Sequence, residues 1–325
     1  MAVSRRLEAQ LEQLEQLRQG QAGDELRNEL RLAFASGAAL IVSRAAVICR
    51  EEQLTDLGLD MEKSWSRFLN PPAKFDKGCK AKTALAETMV ELDIDCIELY
   101  LQGIHLRQPE AVWGGTVDTA AELRAVCAGG LAQSVYPEAV VELAELLADP
   151  EPEARAGAVR ALAQLDPWRV EPLLRFKLLS GDDNDKVTGD CCLALLQMSP
   201  ESTLPFVSPL LENDNNQLAE AVALAMGESR LEQALEPLQQ AWEGALDVGF
   251  RRTLLLSIAM LHSDSSREFL LELVERETLS MAKLVVNALA MYRHDDQLLK
   301  ALQSIATTRA DDLSETIKRE FLQER

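Results

Sequence analysis

Two segments combine residue types and spacings from which a binding chemistry could be built. In VWGGTVDTAAELR, residues 112–124, Trp113 precedes Gly114 and Gly115, and Thr119 and Glu122 follow with the spacing of a helix capping box. The glycines open backbone conformations closed to other residues, and a helix start exposes amide donors, so the segment can form an anion-binding loop. With the capping pair occupying those donors, it reads instead as a structural turn. The second segment is basic: Lys63, Arg67, Lys74, Lys77, Lys80 and Lys82 face only Asp76 between positions 63 and 82, in a chain whose net charge is -20. Lys77, Lys80 and Lys82 are expected to begin a helix, where cations oppose the macrodipole. A partner's carboxylates or phosphates would relieve that, and so would acidic residues of neighbouring elements; a solvated face is the plain alternative.

Residues for catalysis do not assemble in the same way. The three histidines, His105, His262 and His294, lie far apart, and Cys49, Cys79, Cys96, Cys127, Cys191 and Cys192 show neither CxxC spacing nor nearby histidines. Cys191 and Cys192 are adjacent, so on a helix they point about 100° apart, and one is expected in the core with the other near the surface. GDDNDKVTGD, residues 181–190, is rich in Asp but lacks the alternation and the closing Glu of a calcium loop, and reads as a turn with a helix N-cap. No GxSxG, Walker or GxGxxG segment occurs. No catalytic, cofactor-binding or metal-binding residue is assigned, and no cofactor is expected.

The elements that must position the two segments are helical. Aromatics are scarce, at 5 % of 325 residues, while Ala and Leu abound, which favours helices packed through small side chains over sheets. Residues 1–132 carry 15 Lys plus Arg against 20 Asp plus Glu, leaving -15 of the charge to the remainder. A surface so acidic repels phosphate backbones, so nucleic acid is excluded as a partner. No run of 18 apolar residues and no signal-like apolar region occurs, from which a protein without membrane association, located in the cytoplasm, is expected.

An internal repeat organises the chain. ARAGAVRALAQLDP, VTGDCCLALLQMSP, QLAEAVALAMGES, RRTLLLSIAMLHS and MAKLVVNALAMYRH each place small and aliphatic residues on one helical face, and Leu162, Leu195, Leu224, Ile258 and Leu289 recur at spacings of 33, 29, 34 and 31. Leu131 and Phe321 extend the series. A second amphipathic helix, such as PEAVVELAELLADP, lies between successive repeats, and Asp149-Pro150, Asp166-Pro167 and Ser199-Pro200 punctuate them. Such pairs bury their apolar faces only by stacking, so the fold class is an all-α solenoid of about eight helix pairs.

The pattern resembles HEAT-like repeats of the short bacterial kind, similar to those of phycobilin lyase subunits and of deoxyhypusine hydroxylase, over residues 30–325. DKGCKAKTA and VWGGTVDTAAELR also look like segments of uncharacterised bacterial HEAT-repeat proteins. The resemblance implies the fold; the hydroxylase's His-Glu metal pairs have no counterpart here, so no metal residue is carried over. Trp65, Trp113, Trp168 and Trp242 could line a lyase-like groove, although a Trp in a helical repeat more often packs between helices.

Counting back from Leu131, Met89 and Ile48 follow at 42 and 41 residues, about ten more than the later period. The surplus falls in HLRQPEAVWGGTV and FLNPPAKFDKGCK, two insertions expected on the same edge of adjacent repeats, where insertions tend to build binding faces. Leu7, Leu11, Leu14 and Leu17 give residues 1–20 an apolar stripe suited to capping the first repeat or to dimerising. The expected organisation is thus 1–20 as an N-terminal cap, 24–132 as longer repeats bearing both insertions, and 133–325 as regular acidic repeats. The expected function is a non-enzymatic scaffold or adaptor holding a protein partner, acidic at the contact, through Lys77, Lys80, Lys82, Arg107, Trp113 and Arg124. A lyase-like or chaperone-like subunit acting on a bound small molecule or acceptor protein is the alternative.

Overall fold

The computed structural model describes residues 2–19, 23–70, 72–309 and 312–322, and the described residues divide into two compact units. The first, Met1–Val170, contains α1 (Ala2–Gln19), α2 (Gly23–Phe34), α3 (Ala39–Glu51), α4 (Gly58–Phe68), α5 (Pro72–Phe75), α6 (Lys80–Glu91), α7 (Ile97–His105), strands β1 (Pro109–Val112) and β2 (Gly115–Asp118), α8 (Ala121–Gln133), α9 (Ala139–Leu146) and α10 (Pro152–Leu162), and enters α11 (Pro167–Ser180). The second, Glu171–Arg325, continues with α12 (Asp185–Met198), α13 (Pro200–Val207), α14 (Asn216–Ser229), α15 (Leu235–Gly244), α16 (Val248–Met260), α17 (Asp264–Arg276), α18 (Leu279–Leu289), α19 (Asp296–Thr308) and α20 (Ser314–Ile317).

Each unit is a stack of helix pairs, and the fold is an all-α solenoid. In the first unit α3, α6, α8 and α10 pack in succession; in the second α12, α14, α16, α18 and α20 do the same, with the intervening helices forming the outer layer. The repeat residues fall on these inner helices, except Phe321, which lies in the Lys318–Leu322 turn that follows α20. Ile48, Met89, Leu131, Leu162, Leu195, Ile258 and Leu289 are wholly buried, Phe321 is nearly so, and Leu224 is half-buried. Small residues set the spacing between helices. A Cβ on Gly157 would lie 2.4 Å from the Cα of Ala125, and one on Gly227 would lie 2.5 Å from the carbonyl oxygen of Ser257, so backbones meet where a side chain would hold them apart.

Helix starts follow the polar punctuation. Asn184, Asn215, Asp247, Ser263 and Asp295 accept amide hydrogen bonds at the N-termini of α12, α14, α16, α17 and α19, and Pro152 and Pro200 sit in first turns, where no amide donor is lost. At the other end of the chain, α1 lays Leu14 against α2 and α3, and Arg18 pairs with Glu51 and Glu52. Cys191 and Cys192 are both buried, so the expected core and surface split does not occur: Cys192 lies in the core of the second unit, and Cys191, on the next position of α12, is covered as well. Among the described residues, no helix is long and apolar enough to cross a membrane.

Candidate functional site

The insertion that carries Trp113 is not a plain turn before a capped helix. It folds as an antiparallel hairpin in which Val112 pairs with Gly115, Ala111 with Thr116, Glu110 with Val117 and Pro109 with Asp118. Its two-residue connection, Trp113-Gly114, needs a positive φ at the second position, and Gly114 supplies it at +92°. Thr119 does not cap α8. The helix begins at Ala121; the Asp118 carboxylate accepts the Ala120 amide at 3.0 Å, while the Thr119 hydroxyl bonds the carbonyl of Gln108 at 3.2 Å and the Glu110 carboxylate at 2.9 Å. The expected Thr119–Glu122 capping box therefore does not form, and the Asp118 carboxylate stands beside the start of α8 instead.

A two-stranded hairpin is marginal by itself, and here a buried polar network holds it. Asp76, from the basic insertion, accepts the amides of Ala81 and Lys82 at 2.8 and 3.0 Å and pairs with the Lys82 ammonium at 2.9 Å, with both side chains fully buried. Gln108, itself buried, donates to the Asp76 carbonyl at 2.8 Å and to Glu110 at 2.7 Å, and the Gly78 amide donates to Glu110 at 2.6 Å. The two insertions are thereby joined at their bases. On the far side, the buried Arg124 guanidinium donates to Asp118 at 2.7 Å, to the carbonyl of Leu106 at 2.9 Å and to Asp149 at 2.9 Å. Asp149 also holds Arg107 at 2.7 Å and the Glu151 amide at 2.9 Å. The Asp149-Pro150 turn signal therefore marks a counter-ion as well as a chain reversal.

Two expected contact residues are corrected. Lys82 and Arg124 are internal, because each lies on the same stripe as the apolar residues of its own helix and finds a buried carboxylate there. The macrodipole objection to Lys82 is answered inside the molecule, since Asp76 places a carboxylate at the start of α6. Lys77 and Lys80 are exposed, Arg107 is about half-exposed despite its pair with Asp149, and Trp113 at the hairpin tip is fully exposed. Lys74 and Phe75, in contact with one another, and the hairpin residues Val112 and Val117 also face solvent. Of the other tryptophans, Trp65 and Trp242 are packed inside and Trp168 is exposed.

The electrostatics follow from this sorting. Burial opposes ionisation of Glu110, yet hydrogen bonds from Gln108, Gly78 and Thr119, with Lys77 nearby, outweigh it and hold the carboxyl below its usual range. Burial likewise works against Asp118, and the Gln108 and Ala120 amides with Arg124 overcome it in the same direction. Asp76, Asp118 and Asp149 are paired with the buried cations Lys82 and Arg124, while Lys74, Lys77 and Lys80 are exposed. The surface is locally basic although the chain is acidic.

Fold and edge define a helical-repeat protein whose longer repeats present a pinned aromatic hairpin beside a basic loop. No protein-family model and no curated protein matches the chain. Among solved structures it is similar to the complex of CpcE and CpcF of phycocyanin lyase from Nostoc sp. PCC7120, at 16% sequence identity, covering 70% of this chain and 89% of that chain, with a TM-score of 0.38.

Proposed function

We propose that this protein is an interaction scaffold or adaptor that grips a partner protein at the hairpin edge. Trp113 serves as the apolar anchor, and Lys77, Lys80 and Arg107 meet acidic residues around it. The observation that carries the reading is the full exposure of Trp113 on a hairpin whose base is locked by buried charges. A large apolar side chain held in water costs the free protein solubility and gains it nothing, whereas an exposed Trp with exposed cations on the same pair of joined insertions has the composition of an interface hot spot. The preorganised base means that little ordering entropy remains to be lost on binding.

The test places a photoreactive benzophenone side chain at position 113, irradiates in lysate and maps crosslinked peptides by mass spectrometry. The adaptor reading expects one dominant partner, crosslinked through a segment rich in Asp and Glu, and loss of that crosslink in Lys77→Glu/Lys80→Glu. Crosslinks spread over many proteins, or insensitive to the charge reversal, would overturn it. A preparation carrying a bound pigment, with crosslinks to that molecule's acceptor protein, would move the conclusion to the lyase-like subunit.

A further inference from the structure

The second unit has a surface of opposite character. On α12, α14, α16 and α18, which pack in succession, each helix contributes one leucine to a shared surface: Leu193, Leu224 and Leu284 are half-buried there and Leu256 is exposed. They recur at the repeat period and line two adjoining clefts. The first, 410 Å³, contains Leu193 and Leu224; the second, 400 Å³, contains Leu256 and Leu284. Glu220 lines both and joins them. Between α12 and α14 the floor is low because Gly189 lies against Ala221, where a Cβ would come within 3.2 Å. Leu256 is 41% exposed, a leucine left to water by a protein that buries its neighbours Leu254 and Leu255 completely.

The rim is acidic. Asp185, Asp190, Glu220 and Glu228 line the first cleft against Lys186 alone, and Arg252 lies in the second. No ion pair engages Glu220 or Glu228 among the described residues, so their charge is directed at solvent.

From this apolar groove and its charge we infer that the second unit docks a basic amphipathic helix laid across α12, α14, α16 and α18. The spacing selects a helix over an extended chain. Packed helices lie about 8–10 Å apart, so successive leucines are offered at that interval. A helix rises about 10.5 Å in seven residues and returns to the same face, so positions i, i+7 and i+14 meet successive leucines. An extended segment covers the same interval in about three residues, and its side chains alternate, so every second one would point away from the groove. Flanking Lys or Arg then face Glu220 and Glu228. This surface is separate from the hairpin edge, which favours the opposite charge, and does not depend on the function proposed for that edge.

The probe is a synthetic 21-residue helix with Leu at the a and d positions of each heptad and Lys at the flanking positions, titrated against the full chain by fluorescence anisotropy. It should bind wild-type protein, and Leu256→Gln and Glu220→Lys, both verified as folded by circular dichroism, should each weaken it by about tenfold or more. A matching peptide with Glu in place of Lys should bind Glu220→Lys more tightly than wild type, and Trp113→Ala should leave the affinity of the Lys peptide unchanged. Equal binding of the Lys and Glu peptides, equal binding of a Lys peptide with Ser in place of Leu, or indifference to both groove substitutions would overturn the inference.

Discussion

Replacing Lys82 by Met tests the internal architecture of the edge and the functional reading together. In the native protein the Lys82 ammonium sits 2.9 Å from Asp76, with both side chains at 0% exposure, and its other contact is the Phe68 carbonyl at 3.4 Å. Met keeps the length and apolar stem but leaves the Asp76 carboxylate buried with only the Ala81 and Lys82 amides as donors. Removing one partner of a fully buried pair costs about 3–5 kcal/mol, far above the ~0–1 kcal/mol of a surface pair. The double variant Lys82→Met/Asp76→Asn removes both charges and keeps a hydrogen-bonding group at the cap, so it should recover most of that loss. The coupling energy of the cycle is then on the order of 3 kcal/mol. Urea unfolding, followed by emission of the buried Trp65 and by hydrogen exchange of the α6 amides, measures each corner. Where Lys82→Met remains folded, crosslinking from position 113 should persist, because Lys82 touches no partner. A loss below about 1 kcal/mol, or a double variant as unstable as the sum of the singles, would refute the reasoning and return Lys82 to the surface.

The remaining expectations concern thiols, acid and packing. Burial pushes Cys49, Cys79, Cys96 and Cys191 up to about 12 and raises Cys127 and Cys192 further, so a thiol reagent near pH 8 should label no cysteine rapidly in the native protein and all six after denaturation. Glu110 and Asp118 have lowered values in the folded state. Their stabilisation is therefore fully present above the ordinary values of 4.5 and 3.8 and is lost as pH falls through the folded ones, and amide exchange over residues 109–118 should accelerate ahead of the inner helices on acidification. Gly157→Ala places a methyl 2.4 Å from the Ala125 Cα and should cost about 1–3 kcal/mol, read as a lowered melting temperature. Gly129→Ala on the same layer meets nothing within 4 Å and should be neutral or stabilising.

The fold was legible because one signal recurs. A helical stripe at positions such as Ile48, Leu131 and Leu289, repeated near a fixed period, leaves stacking as the only way to bury it. The hairpin was not, because each strand is four residues long and its signal is a single Trp-Gly connection beside a proline. The two misplaced cations were readable in principle. Lys82 precedes Leu85, Ala86 and Met89, and Arg124 precedes Cys127, Ala128 and Leu131, at +3, +4 and +7 in both cases, so the periodicity that identified the core also included these cations. Gln108, which joins the two insertions, left no signal of its own: its role depends on Asp76 being 32 positions away in sequence and adjacent in space.

The hairpin separates what can change from what cannot. Its base is fixed by Glu110, Asp118 and Arg124, while Gly114 and Gly115 at the tip have no atom within 4 Å of where a side chain would begin. Sequence at the tip can drift, or be exchanged for another two-residue connection with glycine second, without disturbing the helices beneath it. A repeat protein built in this way can acquire a new preference at one short segment while its framework stays under unrelated selection, and the same division makes residues 112–115 a natural graft point for recognition sequences.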